Sequence, residues 1–217
     1  TRMGGIDKPA LIVGGRRMLD TALAAAAAAD DVVVVGPHRD DISVTQVQEE
    51  PVGSGPVAGI AAGLTTFDAQ PHDSVIVLAS DLPWLGRAAI AELLEALDSS
   101  PDLDAAHGVD SGGRIQHLLS VWRVGSLRTA LAELGSTENQ PMRALHAPRT
   151  VAVPVGVEDC DTEADIERAR LVGPSTMELG HARAVISNDI APLTPHDKNL
   201  IDVVGAALAA PLLAADA

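Results

Sequence analysis

Residues 31–35 read DVVVV, and residues 74–78 read SVIVL. Neither run alternates apolar with polar side chains, and continuous runs of β-branched residues are typical of parallel strands that are buried on both faces. Helix-forming segments flank these runs, over residues 17–29 and residues 87–97. Strands that alternate with helices at short intervals favour an α/β fold, with a mostly parallel sheet covered by helices on both faces.

The other predicted elements continue this alternation. They are strands over residues 43–47, 105–109, 117–122 and 150–155, and helices over residues 58–65, 125–134 and 162–171. The turn at Gly112 and Gly113 resembles that of a hairpin, which favours antiparallel pairing of the strand after it. Thr162 and Asp165 are spaced like a capping box, which predicts a helix start at this point.

Length and charge limit the domain organisation and the partners. The chain has 217 residues, enough for one domain of about 170 residues with an extension. We assign residues 1–172 to the main domain and residues 173–217 to an extension with predicted helices over 177–185 and 200–209. The formal net charge of −15 repels phosphate backbones and anionic membranes, so we expect neither nucleic acid nor membrane as a partner.

Several classes of protein are disfavoured by what the sequence lacks. Cys160 is the single cysteine, so it has no partner for a disulfide or for a zinc site. No stretch reaches the roughly 20 apolar residues of a membrane span, and neither a Gly-x-Ser-x-Gly elbow nor a P-loop occurs. We expect a cytoplasmic protein. The chain begins with Thr rather than Met, and we expect that its natural start lies upstream.

The first candidate motif opens the chain, where residues 1–9 read TRMGGIDKP. Gly4 and Gly5 allow backbone N–H groups to approach phosphate oxygens, and Arg2 and Lys8 can neutralise charge that builds on a triphosphate. A flexible basic terminus without a ligand is the alternative interpretation of the same residues.

The second motif is EEPVGSGPVAG, residues 49–59. A carboxylate can accept two N–H bonds from the edge of guanine, and Glu50 is our candidate for that role. Gly55, Pro56 and Gly59 form a loop and helix start that can admit a flat base. A loop that uses Gly and Pro only to turn is the alternative.

The third motif, LASDLP over residues 78–83, places Asp81 at the end of an apolar strand. Open α/β sheets bind ligands at the carboxyl ends of their strands. A carboxylate at that edge can hold Mg²⁺ against nucleotide phosphates, so we predict Asp81 as a metal ligand. Capping of the next helix is the alternative role.

The fourth motif is DCDTEADI, residues 159–166, in which Asp161 is either a site residue or part of the helix cap. Arg143 is a further candidate, because guanidinium groups bind phosphate well. Trp84 could stack on a substrate ring, although packing is the commoner role of an isolated Trp.

Taken in order, the four motifs over residues 1–171 resemble those of the nucleotidyltransferase family that includes the molybdenum cofactor guanylyltransferases. The resemblance implies a Rossmann-like sheet, a nucleotide held by the first two motifs, Mg²⁺ on Asp81, and an acceptor near Asp161. Further residues in the acceptor region would be Arg114, His117, Asn139, Gln140 and Arg143. The chain departs from the family in lacking the first strand and its Leu-Ala-Gly-Gly loop, and in having Asp159 and Asp161 where Asn is frequent.

The extension resembles the beginning of the molybdenum-insertion protein of the same pathway, over residues 177–186, 190–193 and 204–209, which implies fusion to or contact with that enzyme. The expected reaction is transfer of GMP from GTP to molybdopterin, with Lys8, Arg2 and Asp81 as catalytic residues. Two alternatives stay open. One is transfer with another nucleotide or acceptor, such as CTP or a sugar phosphate, and the other is a non-catalytic partner that only binds the cofactor.

Overall fold

The computed structural model describes residues 7–157, 159–172 and 198–203. The strands are β1 (Ile12–Val13), β2 (Arg16–Arg17), β3 (Val32–Val35), β4 (Thr45–Val47), β5 (Ser74–Ala79), β6 (Ala105–Val109), β7 (Ile115–Arg123), β8 (Thr150–Pro154) and β9 (Lys198–Val203). The helices are α1 (Met18–Ala25), α2 (Pro56–Leu64), α3 (Arg87–Asp98), α4 (Val124–Glu133) and α5 (Glu163–Val172). Among the described residues, no helix has the length and apolar character needed to cross a membrane.

A seven-stranded sheet in the order β4-β3-β9-β5-β7-β6-β8 forms the centre of the fold. Strand β7 is antiparallel to both its neighbours, and the other pairs are parallel. The predicted mostly parallel α/β sheet and the antiparallel strand over residues 117–122 are therefore confirmed. The turn at Gly113, with φ of 80°, joins β6 to β7 as the glycine pair predicts.

All six residues of β5 are buried, because helices cover both faces of the sheet. Ile76 and Leu78 pack in one core with residues of α1 and α3, whereas Val75 and Val77 pack in a second core with residues of α2 and α4. The side chains of a strand point alternately to its two faces, so an uninterrupted apolar sequence is what a doubly covered strand requires.

Two regions differ from the prediction. The predicted helix over residues 17–29 begins only at Met18, because Arg16 and Arg17 pair with Val13 and Ile12 across a turn at Gly14 and Gly15. Residues 200–203 belong to β9 rather than to the start of the predicted helix over 200–209. A strand between β3 and β5 bonds on both edges, which outweighs local helix propensity. The predicted helix over 177–185 lies outside the described residues, and so does the extension apart from residues 198–203.

Candidate active site

The carboxyl end of β5 is joined to the segment that precedes α5. Asp81 follows β5, and its backbone carbonyl accepts a hydrogen bond of 2.9 Å from the backbone N–H of Cys160. Strand β8 lies three strands away from β5 in the sheet. The segment after β8 therefore returns across the ends of β6 and β7, and it brings the fourth motif to the third.

Lys8 lies at this junction. Its Nζ donates hydrogen bonds to Oδ1 of Asp161 at 3.1 Å and to the carbonyl of Cys160 at 3.0 Å. The same nitrogen lies 3.8 Å from Oδ2 of Asp81. The structure thus brings together Lys8, Asp81 and Asp161, three predicted site residues that the sequence places in separate motifs.

The pKa of Asp81 is raised to about 6, and burial is the main cause. Lys8 lowers this pKa, and the nearby charges of Asp159 and Asp161 raise it. Burial and like charges both disfavour the ionised carboxylate. A nearby cation favours the ionised carboxylate, and Lys8 supplies one in this structure.

The donor set fits Mg²⁺, which proteins bind through one or two carboxylates while water and substrate phosphates supply the other oxygens. Asp81 and Asp161 provide two carboxylates that share Lys8 as a neighbour. No group of three or more His, Cys, Asp or Glu side chains in the described part of the chain is arranged to hold a metal. A metal held here would complete its coordination with water and with phosphate oxygens of a substrate.

Thr162 and Asp165 cap the start of α5. Thr162 donates its N–H and its hydroxyl to Oδ2 of Asp165, and the N–H of Asp165 returns a bond to the hydroxyl of Thr162. This reciprocal pair is the capping box that the sequence predicts. This reciprocal pair uses the side chains of Thr162 and Asp165, while the carboxylate of Asp161 accepts a hydrogen bond from Lys8.

The two acidic residues of the second motif have different environments. Glu50 is exposed, whereas Glu49 is only 4% exposed. Oε1 of Glu49 accepts the N–H of Gly53 at 2.9 Å, and its Oε2 is buried without a hydrogen-bond partner among the described residues. Glu49 therefore holds the loop in shape, and Glu50 is the carboxylate that solvent or a ligand can reach.

Glycine is required where this loop enters α2. Gly55 precedes the helix with φ of 89°, a conformation that side chains rarely adopt. Pro56 occupies the first helical turn, and the N–H of Gly59 bonds the carbonyl of Gly55 at 3.1 Å. The N–H of Asn139 bonds the carbonyl of Ser54 at 2.7 Å, so residues after α4 support the loop.

His107 is a buried residue of β6 that none of the four motifs predicted. Its ring makes edge contacts with His117, at 5.7 Å between centroids, and with Trp122, at 5.4 Å. Burial, and then the charge of His117, lower the pKa of His107 to about 4. Burial also lowers the pKa of His117, and Arg143 adds to the shift. The sequence signal that could have indicated this residue is a histidine within a predicted apolar strand.

Trp84 packs against the β1–β2 turn. A Cβ added to Gly14 would lie 2.5 Å from the indole ring, so the glycine and the ring are in close contact. The indole Nε1 is buried and has no hydrogen-bond partner among the described residues. Packing accounts for this residue without a substrate.

The remaining candidates are placed as follows. Arg143 is exposed in a short 3-10 turn, Met142–Ala144, and Arg114 lies at the tip between β6 and β7. Gln140 is half-buried in the segment before that turn. Arg2, Gly4 and Gly5 lie outside the described residues.

Comparison with known proteins shows the family of the chain. The MobA-like NTP transferase domain matches residues 1–153, about two thirds of the chain. The chain belongs to the MobA-like NTP transferase family. The nucleotidyltransferase class expected from the four motifs is thereby confirmed for the main domain, whereas the comparisons do not support the likeness of the extension to a molybdenum-insertion protein.

Three curated relatives carry the name molybdenum cofactor guanylyltransferase, and the proteins from Bradyrhizobium sp. and Acidiphilium cryptum are two of them. The protein from Bradyrhizobium sp. is 30% identical over 169 residues, which cover 73% of this chain and 79% of that protein. The protein from Acidiphilium cryptum is 31% identical over 131 residues, which cover 58% of this chain and 62% of that protein. The alignment with the second relative thus spans less than two thirds of its length.

Two solved structures share the fold. Molybdopterin-guanine dinucleotide biosynthesis protein A from Archaeoglobus fulgidus is 18% identical, covers 77% of this chain and 91% of its own, and has a TM-score of 0.59. The 2-C-methyl-D-erythritol 4-phosphate cytidylyltransferase from Francisella tularensis is 17% identical, covers 77% and 94%, and has a TM-score of 0.60. The fold alone does not select the base, since the second structure is that of a cytidylyltransferase.

Proposed function

We propose that the chain transfers GMP from GTP to molybdopterin, which yields molybdopterin guanine dinucleotide and pyrophosphate. The observation that carries the proposal is the convergence of Lys8, Asp81 and Asp161 at the carboxyl edge of the sheet. The names of the three curated relatives support the choice of GTP and molybdopterin. We also propose a cytoplasmic location, because Cys160 is the single cysteine of the sequence and has no disulfide partner within it.

An oxygen of the molybdopterin phosphate forms a bond to the α-phosphorus of GTP, and the bond from that phosphorus to the β-bridging oxygen breaks. A phosphomonoester has a second pKa of about 6, so it is largely dianionic at neutral pH. The attacking oxygen therefore needs no general base. Positioning and charge neutralisation then supply most of the rate enhancement, as in other phosphoryl transfers.

Lys8 exchanges its carboxylate and carbonyl partners for phosphate oxygens as charge builds on the triphosphate. Asp81 and Asp161 would hold Mg²⁺, which when bound offsets charge on the α-phosphate and fixes its position. Arg2, Gly4 and Gly5 are proposed to contact the same phosphates from the first motif.

The second motif is proposed to bind the nucleoside, with Glu50 accepting the N–H groups of the guanine edge and Gly55, Pro56 and Gly59 forming the wall beside the base. Arg143, exposed beside His117, is proposed as a contact of the pterin or its phosphate. For residues 173–217, the contact with a molybdenum-insertion enzyme rests on sequence resemblance alone.

The test is pyrophosphate release by the full-length protein with molybdopterin and Mg²⁺, supplied in turn with GTP, CTP, ATP and UTP. We expect release with GTP, loss of release on chelation of Mg²⁺, and a product with the mass of the guanine dinucleotide. Release with CTP only would contradict the choice of base. Binding of molybdopterin without release under any condition would contradict the enzyme and favour a non-catalytic partner.

A further inference from the structure

Two buried aspartates flank strand β6, and each holds an arginine. Asp104 precedes the strand and bonds Arg149, whereas Asp110 follows it and bonds Arg114. The first pair lies at the amino end of β6 and the second at the carboxyl end, which is the edge that carries Asp81. Similar pairs therefore occur at opposite ends of one strand, and only one of them lies at the candidate site.

Asp110 organises the tip between β6 and β7. Its Oδ1 accepts the N–H groups of Gly112 and Arg114, at 2.9 and 2.8 Å. Its Oδ2 accepts Nε of Arg114 at 3.1 Å and Nε2 of Gln116 at 3.0 Å. The Asp110 side chain is 6% exposed, so a buried carboxylate fixes the inner end of the guanidinium.

The outer end of that guanidinium points to solvent. The Arg114 side chain is 76% exposed, and Asp110 occupies only its Nε. The two terminal nitrogens, which form the fork that binds phosphate in a bidentate manner, have no hydrogen-bond partner among the described residues. Because Asp110 already orders the side chain, binding through this fork costs less conformational entropy than binding through an unrestrained arginine.

The sheet order places this tip on the acceptor side of the transfer. The second motif, residues 49–59, which is proposed to bind the base, follows β4 at one edge of the sheet. Asp81 follows the central strand β5, and the β6–β7 tip lies on the far side of β5. In-line displacement requires the leaving pyrophosphate and the attacking oxygen to lie on opposite sides of the α-phosphorus. A cation at the tip is therefore suited to the attacking group.

Acidic residues near the tip give the positive charge of Arg114 a function. The segment after β8 passes the tip, since the N–H of Val155 bonds the carbonyl of Val109 at 3.2 Å, and it then reaches Asp81 through Cys160. Asp159 and Asp161 raise the pKa of Arg114 further, after the larger effect of Asp110, so their charges face it. A dianionic acceptor must enter past these carboxylates, and a fixed guanidinium offsets the repulsion.

We propose that Arg114 binds the phosphate of the acceptor through its terminal nitrogens, and that Asp110 is the positioning residue that holds it. The inference rests on the proposed function, because it takes the acceptor to be a phosphomonoester, molybdopterin. It also distinguishes Arg114 from Arg143, for which no described hydrogen bond fixes the side chain.

The test is steady-state pyrophosphate release by the full-length protein, first with molybdopterin varied and then with GTP varied. Arg114→Gln is expected to raise KM for molybdopterin by about tenfold or more, the usual effect of losing a charged hydrogen bond, with KM for GTP within about twofold. Arg114→Lys should have a KM for molybdopterin between those of the parent and Arg114→Gln, because lysine keeps the charge but lacks the two terminal nitrogens of the guanidinium. Asp110→Asn should raise the same KM by a smaller factor.

Arg149→Gln is the matched control, because Arg149 is also held by a buried aspartate and is 59% exposed. It is expected to leave both KM values unchanged. An unchanged KM for molybdopterin in an active Arg114→Gln variant would overturn the inference, as would a rise in KM for GTP instead.

If the parent protein releases no pyrophosphate, equilibrium binding of molybdopterin replaces the kinetic readout. The proposed reaction then fails, while a tenfold weaker binding by Arg114→Gln still supports the phosphate contact. Equal binding by the parent and Arg114→Gln, or no binding by either, would overturn it.

Discussion

Nζ of Lys8 donates a hydrogen bond of 3.1 Å to Oδ1 of Asp161, a residue 153 positions further along the chain. The bond joins the first described turn to the segment that precedes the last helix of the main domain. The pair, with Asp81 at 3.8 Å from the same nitrogen, is the charge arrangement on which the proposed transfer depends.

Replacement of Lys8 by Met should lower kcat by about a hundredfold to a thousandfold, the range seen when one preorganised group that stabilises transition-state charge is removed. Lys8→Arg should recover part of the loss because it keeps the charge. The measurement is pyrophosphate release at saturating GTP and molybdopterin.

Arg168→Met provides the control, because Arg168 also bonds a carboxylate, Asp165, but on the exposed side of α5. It should retain the parent rate. A Lys8→Met variant with kcat within a few-fold of the parent would contradict the proposed phosphate-binding role of this lysine.

Glu49 and Glu50, the two acidic residues of the second motif, should affect the reaction differently. Glu50→Gln should reduce the preference for GTP over ATP by about tenfold or more, because an amide cannot accept both N–H groups of guanine. Glu49→Ala should raise KM for both nucleotides alike, since it removes the acceptor of the Gly53 N–H and loosens the loop. The ratio of kcat/KM values for GTP and ATP is the measurement, and a changed ratio in Glu49→Ala alone would assign the base contact to Glu49.

The adjacent glycines of the β1–β2 turn should differ in their tolerance of alanine. Both have positive φ, 59° for Gly14 and 81° for Gly15, so alanine costs each about 1 kcal/mol in backbone strain. At Gly14 the new methyl would also meet Trp84 at 2.5 Å, which adds about 1–3 kcal/mol of overpacking, whereas nothing lies within 4 Å at Gly15. Chemical denaturation should show Gly14→Ala to be the less stable variant. Equal losses at the two positions would mean that the turn does not press on Trp84.

His107 should make the protein less stable in mild acid. Its pKa is lowered to about 4 in the folded state, mainly by burial. Between pH 6.5 and pH 4, the imidazole is therefore protonated in the unfolded chain but not in the folded protein. The stabilisation is complete above pH 6.5 and is lost as the pH falls towards 4, by an amount on the order of 3 kcal/mol.

His107→Leu should flatten the dependence of the free energy of unfolding on pH across this interval. Denaturation at several pH values measures the slope, and the exposed His38→Leu should keep that of the parent. His117 also lowers the pKa of His107, so the double variant His107→Leu/His117→Leu separates the contribution of His117. Arg143 lowers the pKa of His117 and acts on this region through it. An unchanged slope in His107→Leu would mean that the ring is protonated equally in both states.

Local sequence patterns were sufficient for most of the sheet and for its helices. The valines of β3 and the apolar run of β5 predict strands buried on two faces, because no other environment accepts uninterrupted apolar side chains in an extended chain. Thr162 and Asp165 predict their helix start because a capping box involves only neighbours in sequence. The four motifs also sufficed to indicate the family.

Contacts between distant segments were decided only by the tertiary structure. No pattern around Lys8 indicates that its partner is Asp161, and none around Glu49 and Glu50 indicates which is buried, because both depend on segments that return to the site from elsewhere. The strand at residues 198–203 likewise forms because β3 and β5 provide backbone hydrogen-bond partners. The hairpin before Met18 packs against Trp84, which lies far from it in the sequence. The sequence determined which groups the site can use, since residue chemistry and local propensity are properties of short segments. Tertiary structure alone decided which of them meet, because distance and burial arise only when the chain has closed on itself.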